Sequence, residues 1–292
     1  MARYTAGQIR GMVAEALRDS DGMPGTELAG RVGVSRITMA RHLDRLASEG
    51  FLRRRGAGGA ILWTLAPGRS TYGFPDDYFR AADDYMRLVS DLGDAGALVR
   101  DCLQSGADPA RLVLEVVEPA IRGVGELYEE GKIGSAERGL MRQSISGSLR
   151  LVGGAPDPSL GALVAATDPD AALDAEAAAA AYRASGWSTW CVGDLSGAAD
   201  GLLDTDLGRI IGRVWKRRGG LLLVAAFSST TEGARLFADA AGPARKRSPF
   251  MRLALCGPGT GGIPGCDLGA SSLGELVRWS GTARAAGQGA AG

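Results

Sequence analysis

Histidine is nearly absent from this sequence: His42 stands alone in 292 residues. A chain with one imidazole cannot build a histidine-rich metal site, and away from residue 42 it has no imidazole to act as a general base. Cysteine is scarce too. Cys102, Cys191, Cys256 and Cys266 are scattered without the paired spacing of a metal site, and they fit buried thiols in a reducing compartment. Net charge is missing: 33 basic residues balance 33 acidic ones, so any basic footprint has to be local. No apolar run is long enough to span a bilayer, and Met1-Ala2-Arg3-Tyr4 lacks the apolar stretch of a signal peptide. A cytoplasmic protein with no membrane partner is expected. No nucleophile–base or paired-carboxylate constellation can be assembled either, so no catalytic residue and no metal ligand is assigned, and a non-enzyme is expected.

What is present begins with the run from Thr26 to Leu43. It reads as two short helices, with Thr26 as N-cap of the first, Gly33 at the turn and Ser35 as N-cap of the second. Leu28, Val32, Val34, Ile37 and Leu43 are spaced to pack the pair together, leaving Arg36, Thr38, Arg41 and His42 for the outward face. An earlier helix runs from a Thr5 cap to about Leu17. After a stop at Gly50, Phe51–Arg55 and Ala60–Leu65 flank the Gly56-Ala57-Gly58-Gly59 turn as a hairpin. Residues 1 to 66 hold ten arginines against six acids. Three helices and a hairpin in this order resemble the winged-helix transcription regulators of bacteria over the whole segment. The resemblance implies that residues 1–66 bind double-stranded DNA, as a dimer on a two-fold site or as a tetramer. Ser35, Arg36, Thr38, Arg41 and His42 would lie on the recognition helix and Arg53, Arg54 and Arg55 beside the wing.

Residues 67–75 contain two prolines and two glycines and read as a linker. Beyond them the balance turns acidic and helical periodicity dominates over Tyr78–Leu92, Ala95–Ser105, Pro109–Tyr128 and Ser135–Val152, which predicts a four-helix bundle over 76–152. Leu114 to Ile133 is similar to the helical bundle that precedes the cobalamin-binding domain in corrinoid proteins and cobalamin-dependent light-sensing repressors. In that family an aromatic residue three positions before a glycine covers the corrin, and Tyr128 stands there. Core packing explains Tyr128 as well. A Glu-His pair normally follows the glycine; here the chain has Glu137-Arg138-Gly139.

From 159 to 281, short apolar strands alternate with helices: Leu160–Thr167, Trp187–Gly193, Gly220–Phe227 and Met251–Gly257 are the strands. The pattern predicts an open parallel sheet, whose ligands sit beyond the carboxyl ends of its strands. There lie Asp168 and Asp170, then Ser228, Ser229 and Thr230, then Gly257, Gly259 and Gly261 of a Gly-Pro-Gly-Thr-Gly-Gly loop. That loop can cradle a phosphate or be a plain turn. Order and spacing look like a cobalamin-binding domain, in which a serine loop and a Gly-Gly loop hold the nucleotide tail and an Asp-x-His-x-x-Gly loop supplies the cobalt ligand. The histidine position falls near Ala171 and the glycine near Asp174. With His42 the only imidazole, histidine-ligated cobalamin is excluded within one chain.

The whole is thus read as a multidomain α and α/β chain: winged helix-turn-helix, four-helix bundle and open parallel-sheet, cobalamin-binding-like domain, with a disordered tail at 282–292. A transcription regulator is expected, its effector an unidentified small organic molecule held between Tyr128 and the sheet ends. The alternatives are a sensory half that serves only for dimerisation or partner binding, and a corrinoid light sensor or carrier.

Overall fold

The computed structural model describes residues 4, 6–18, 20, 22–57, 60–65, 72–197, 203–215 and 220–289. The chain divides into two compact units: Met1–Tyr85 with Ala97–Asp108, and Met86–Gly96 with Pro109–Gly292. This division cuts across the three-domain outline read from the sequence. Helices α4 (Tyr78–Ser90) and α5 (Ala95–Gln104) each run from one unit into the other, and the helices after residue 109 belong with the sheet.

In the first unit, α1 (Ala6–Arg18), β1 (Met23–Pro24), α2 (Gly25–Val32), α3 (Arg36–Ser48), β2 (Leu52–Ala57) and β3 (Ala60–Leu65) follow in order. The strands form an antiparallel sheet β1-β3-β2. Gly33 ends α2 in the left-handed conformation at φ 73°, which glycine alone adopts without strain. Ser35 then caps α3: its side chain accepts the Thr38 N–H at 3.1 Å. Two expectations need correction. Thr26 is not the cap of α2, which starts at Gly25 behind an extended Pro24. Ile37 is not core either: it is 72% exposed, while Met39 is fully buried with Leu43 and Leu46. The core-facing row of α3 is therefore 39, 43, 46, the i, i+4, i+7 set that meets Leu28, Val32 and Trp63. The short strand β1 was missed because two residues carry no period.

Residues 72–75 are not a free linker. Tyr72 is 3% exposed and its hydroxyl donates to Asp84 at 3.0 Å, while the Gly73 N–H meets Asp77 at 2.6 Å. The rest of the expected linker from 67 to 71, the Thr5 cap and the Gly58-Gly59 turn lie outside the described residues.

The second unit is built on a parallel sheet in the order β5-β4-β6-β7-β8: β4 (Asp157–Ala166), β5 (Trp187–Asp194), β6 (Leu221–Phe227), β7 (Met251–Cys256) and β8 (Leu268–Ala270). Helices α9 (Ala172–Ala184), α10 (Leu203–Val214), α11 (Thr231–Arg247) and α12 (Leu273–Gly289) connect and close it. Strand β6 is buried along its whole length, as a central strand covered on both faces must be. The tail expected to be disordered from residue 282 is instead helical to Gly289: α12 runs on past Gly281 and Gly287, with no proline to stop it.

Ahead of the sheet runs a long helical stretch: α6 (Pro109–Leu112), a π-helical turn at Val113–Val117, and α7 (Glu118–Glu129), followed by α8 (Ser135–Leu149). The π turn shifts the hydrogen-bond register, so that Glu118 N–H reaches Val113 O immediately before Pro119, which has no N–H to give. Helix α9 lies between these helices and the sheet. Ala177, Ala178, Ala179, Ala180, Ala181 and Tyr182 are all buried, so this helix has no free face along that stretch. No helix among the described residues is long and apolar enough to cross a membrane.

The register of α3 is open to direct test by urea unfolding. Met39→Ala is expected to lower stability by about 2–5 kcal/mol. Ile37→Ala should change it by less than about 0.5 kcal/mol.

Candidate functional site

The carboxyl edge of the sheet is a knot of short polar contacts. Asp168, just past β4, accepts the Ala171 N–H at 2.9 Å on one oxygen; its other oxygen takes the Ser229 N–H at 2.8 Å and the Thr167 hydroxyl at 3.1 Å. Ser228 Oγ lies 2.6 Å from Thr167 Oγ1 and 2.7 Å from Thr230 O, and Thr230 Oγ1 caps α11 through the Gly233 N–H at 3.1 Å. Burial alone would raise the Asp168 carboxyl; the hydrogen bonds from Ser229, Ala171 and Thr167 outweigh it and hold the group below its ordinary value. The third loop closes on the second. Gly257 sits at φ 135°, and a side-chain carbon there would lie 2.0 Å from the Ser228 carbonyl oxygen. Thr260, 1% exposed, donates to Gly257 O at 2.9 Å or Ala270 O at 3.0 Å. The loop thus uses Gly257 and Thr260 amides on its own neighbours, as a plain turn does.

Asp170 points elsewhere. It forms a 2.7 Å ion pair with Arg138 of α8, whose guanidinium lies 4.5 Å from the centre of the Tyr128 ring. One turn further along α8, Arg142 donates to Pro169 O at 2.9 Å and to Asp170 O at 3.2 Å. The structure therefore joins Tyr128 to the loop after β4 through an arginine. It brings Asp168, Ser228, Ser229, Thr230, Gly257 and Gly259 together at the sheet edge, and leaves Gly261 exposed, with open space where a side chain would go. Arg138 and Arg142 were missed by sequence reasoning, although their i, i+4 spacing places both on one face of α8. Beneath them, burial pushes Asp174 up, against the opposing pull of Arg142 and Arg122; burial also raises Glu118, and burial and the like charge of Arg138 lower Arg142.

In the first unit, Arg36, Thr38 and Arg41 are exposed on α3 and His42 is half-buried. Thr38 Oγ1 lies 2.8 Å from Ser35 Oγ, so both hydroxyls are engaged in the cap. On β2 the pleat separates the three arginines. Arg53 and Arg55 face one way. Arg54 faces the other, where it pairs with Asp44 of α3 and lies 5.0 Å from the Trp63 ring centre. Arg31 and Arg45 are held by Glu27 and Glu49. Arg36, Arg41, Arg53 and Arg55 have no ion-pair partner among the described residues.

Sheet order, loops at the carboxyl edge and helices laid over α9 define the second unit as a cobalamin-binding-like module. A family model described as a B12 binding domain matches residues 91–138. Among solved structures, the monomethylamine corrinoid protein of Methanosarcina barkeri matches with a TM-score of 0.52 at 12% identity, over 69% of this chain and 97% of its own. A cobalamin-binding protein of Desulfitobacterium hafniense DCB-2 matches with a TM-score of 0.32 at 17% identity, over 69% and 97%. No curated protein matches the chain. The residues at the sheet edge do not fit a cobalt-ligating role. Ala171 stands where a donor is needed, Asp168 has both oxygens engaged, and Asp170 is held by Arg138. No cluster of His, Cys, Asp and Glu among the described residues could hold a metal ion.

Asp174 sets a pH dependence with a definite sign. Its folded pKa is raised, so the native state keeps the proton to higher pH than the unfolded chain, and stability falls as pH rises from near ~3.9 through the raised value. Asp174→Asn is therefore expected to raise the thermal midpoint at pH 7 and to bring no gain below about pH 3.5. Asp168 works in the opposite sense: its contribution is present above the unfolded value and lost as pH falls through the lowered folded one, so Asp168→Asn should flatten the acid limb. Thermal melts across pH 3–8 check both.

Proposed function

We propose that the chain is a DNA-binding transcription regulator and not an enzyme: its first unit is a winged helix, and its cobalamin-binding-like second unit is the sensory half. The observation that supports DNA binding is the division among its arginines. Arg31, Arg45 and Arg54 are tied to acids within the unit, whereas Arg36 and Arg41 on α3 and Arg53 and Arg55 on β2 stand exposed without a described partner. On a recognition helix, an arginine can fork to guanine O6 and N7, and the exposed Ile37 beside it offers an apolar contact for a thymine methyl. Arginines on the wing meet phosphates. A homodimer on a two-fold operator is the form that such a unit takes.

The sensory half carries no imidazole, so its effector is an organic molecule held by hydrogen bonds and charge rather than a cobalamin ligated by histidine. Such an effector acts by its differential affinity for two states of the protein. One observation favours a second reading. The Tyr128 ring is covered by Arg138, which the chain's own Asp170 pairs, and this suits a half that only dimerises or receives a partner protein.

Selection from a random duplex library followed by mobility-shift titration tests the reading. Arg36→Ala and Arg41→Ala should each weaken the selected duplex by about 1–3 kcal/mol and relax its sequence preference. Arg53→Ala and Arg55→Ala should weaken all duplexes alike and lower the salt slope by about 1 each. No enrichment and no shift at low salt would end the proposal. Operator affinity that is identical with and without cell extract would favour the second reading of the sensory half.

A further inference from the structure

We propose that Arg138 and Arg142 of α8 form a carboxylate-accepting site in which Asp170 is the resident, displaceable occupant, and that the small molecule taken up by the second unit is an organic carboxylate. This assignment rests on reading that unit as a sensor. The two halves of the Arg138–Asp170 pair are not equally built in. The arginine side chain is 24% exposed and lies against the Tyr128 ring, whereas the aspartate side chain is 62% exposed. An aromatic face on one side fixes the plane of the guanidinium, so the fork stays aimed where a carboxylate belongs whether or not Asp170 fills it. The cation is part of the framework; the anion is a loop residue.

The fork is also only partly used. Asp170 takes one Nη2 hydrogen bond, and Arg138 Nε is buried with no hydrogen-bond partner among the described residues. A carboxylate tethered to the loop does not satisfy the guanidinium, as a free carboxylate able to choose its own angle would. Arg142 strengthens the field without competing for the occupant. Its described hydrogen bonds go to backbone carbonyls of Pro169 and Asp170, not to a carboxylate. The acids within its electrostatic reach besides Asp170 are Asp174 and Glu176. Of these, Glu176 is bonded to the Ser146 hydroxyl and Asp174 is half-buried on α9, so neither is placed on a loop to leave and be replaced as Asp170 is. Entry of a ligand carboxylate on Arg138 would release the Asp170 side chain and leave Arg142, on the Pro169 and Asp170 carbonyls, as the remaining tie between α8 and the loop that leads to Asp168 at the sheet edge.

Rescue of a deleted carboxylate tests the site in the full-length chain. Thermal unfolding of Asp170→Ala is followed by tryptophan fluorescence while sodium acetate replaces sodium chloride at constant ionic strength. Acetate is expected to raise the midpoint of Asp170→Ala saturably, by roughly 2–4 °C. Wild type, whose own carboxylate competes, should respond less, and Arg138→Met/Asp170→Ala should not respond. If Asp170→Ala does not fold, Asp170→Asn goes through the same titration. An acetate response equal in all three proteins, or absent from the Asp170 variants, overturns the site. Operator affinity of Asp170→Ala with and without acetate is a separate reading. An acetate-dependent midpoint with unchanged operator affinity supports the site and removes the sensing role, whereas a flat midpoint removes the site whatever the operator does.

Discussion

Everything in the second unit depends on a helix made of alanine. From Ala177 to Tyr182 no residue of α9 reaches solvent, because the sheet covers one side and the helices from 109 to 149 cover the other. Interaxial distance between packed elements follows side-chain size. A row of methyl groups lets the outer helices approach more closely than leucines would, and it leaves little side-chain entropy to be lost on burial. A chain of alanines has little apolar area of its own to bury. The helix is held because its neighbours supply that area: Leu112, Val113, Val116 and Ile145, on the helical segments packed against it, are all fully buried.

That close approach decides the character of the site. With α8 drawn down over α9, its side chains reach the loop after β4, so Arg138 and Arg142 meet Pro169 and Asp170 directly. In this module the span from Tyr128 to the loop after β4 is made of guanidinium and carboxylate. The edge itself is stitched by Asp168, Thr167 and Ser228, each bonded to groups from a neighbouring loop. Fold and ligand chemistry are separable in this architecture. The sheet supplies a ledge, and the residues on the ledge decide what it grips.

The first unit follows a simpler rule. Its core is a row of apolar residues from three helices closed by Trp63 and Phe51, and its arginines fall into those that hold the unit together and those that do not. Arg10 covers the Phe51 ring at 4.3 Å, and Arg54 covers Trp63 while pairing with Asp44. In these positions the long side chains act through their stems and planes, packing over aromatic faces as well as carrying charge.

Local chemistry was legible in the sequence. Ser35 and Gly33 announced the turn between α2 and α3, apolar runs announced four of the five parallel strands, and glycines and prolines marked the stops between them, because caps, turns and buried strands depend on few neighbours. The three-residue β8 was too short to show a period. What the sequence left open was everything set by contact between distant segments. Ile37 and Met39 are both apolar, and only the packing of α3 against Leu28 and Trp63 sends one outward and the other in. Arg53, Arg54 and Arg55 are one charge run in the sequence but two different faces in a strand. Asp168 and Asp170 are two residues apart and look alike, yet one is bonded to the Ser229 loop and the other to Arg138, thirty-two residues earlier. The absence of an imidazole beyond residue 42 was fixed by the sequence alone, since no folding can create one. That an arginine would lie against the Tyr128 ring was decided only when α8 settled onto α9, because helix position, not residue order, determines which side chains meet.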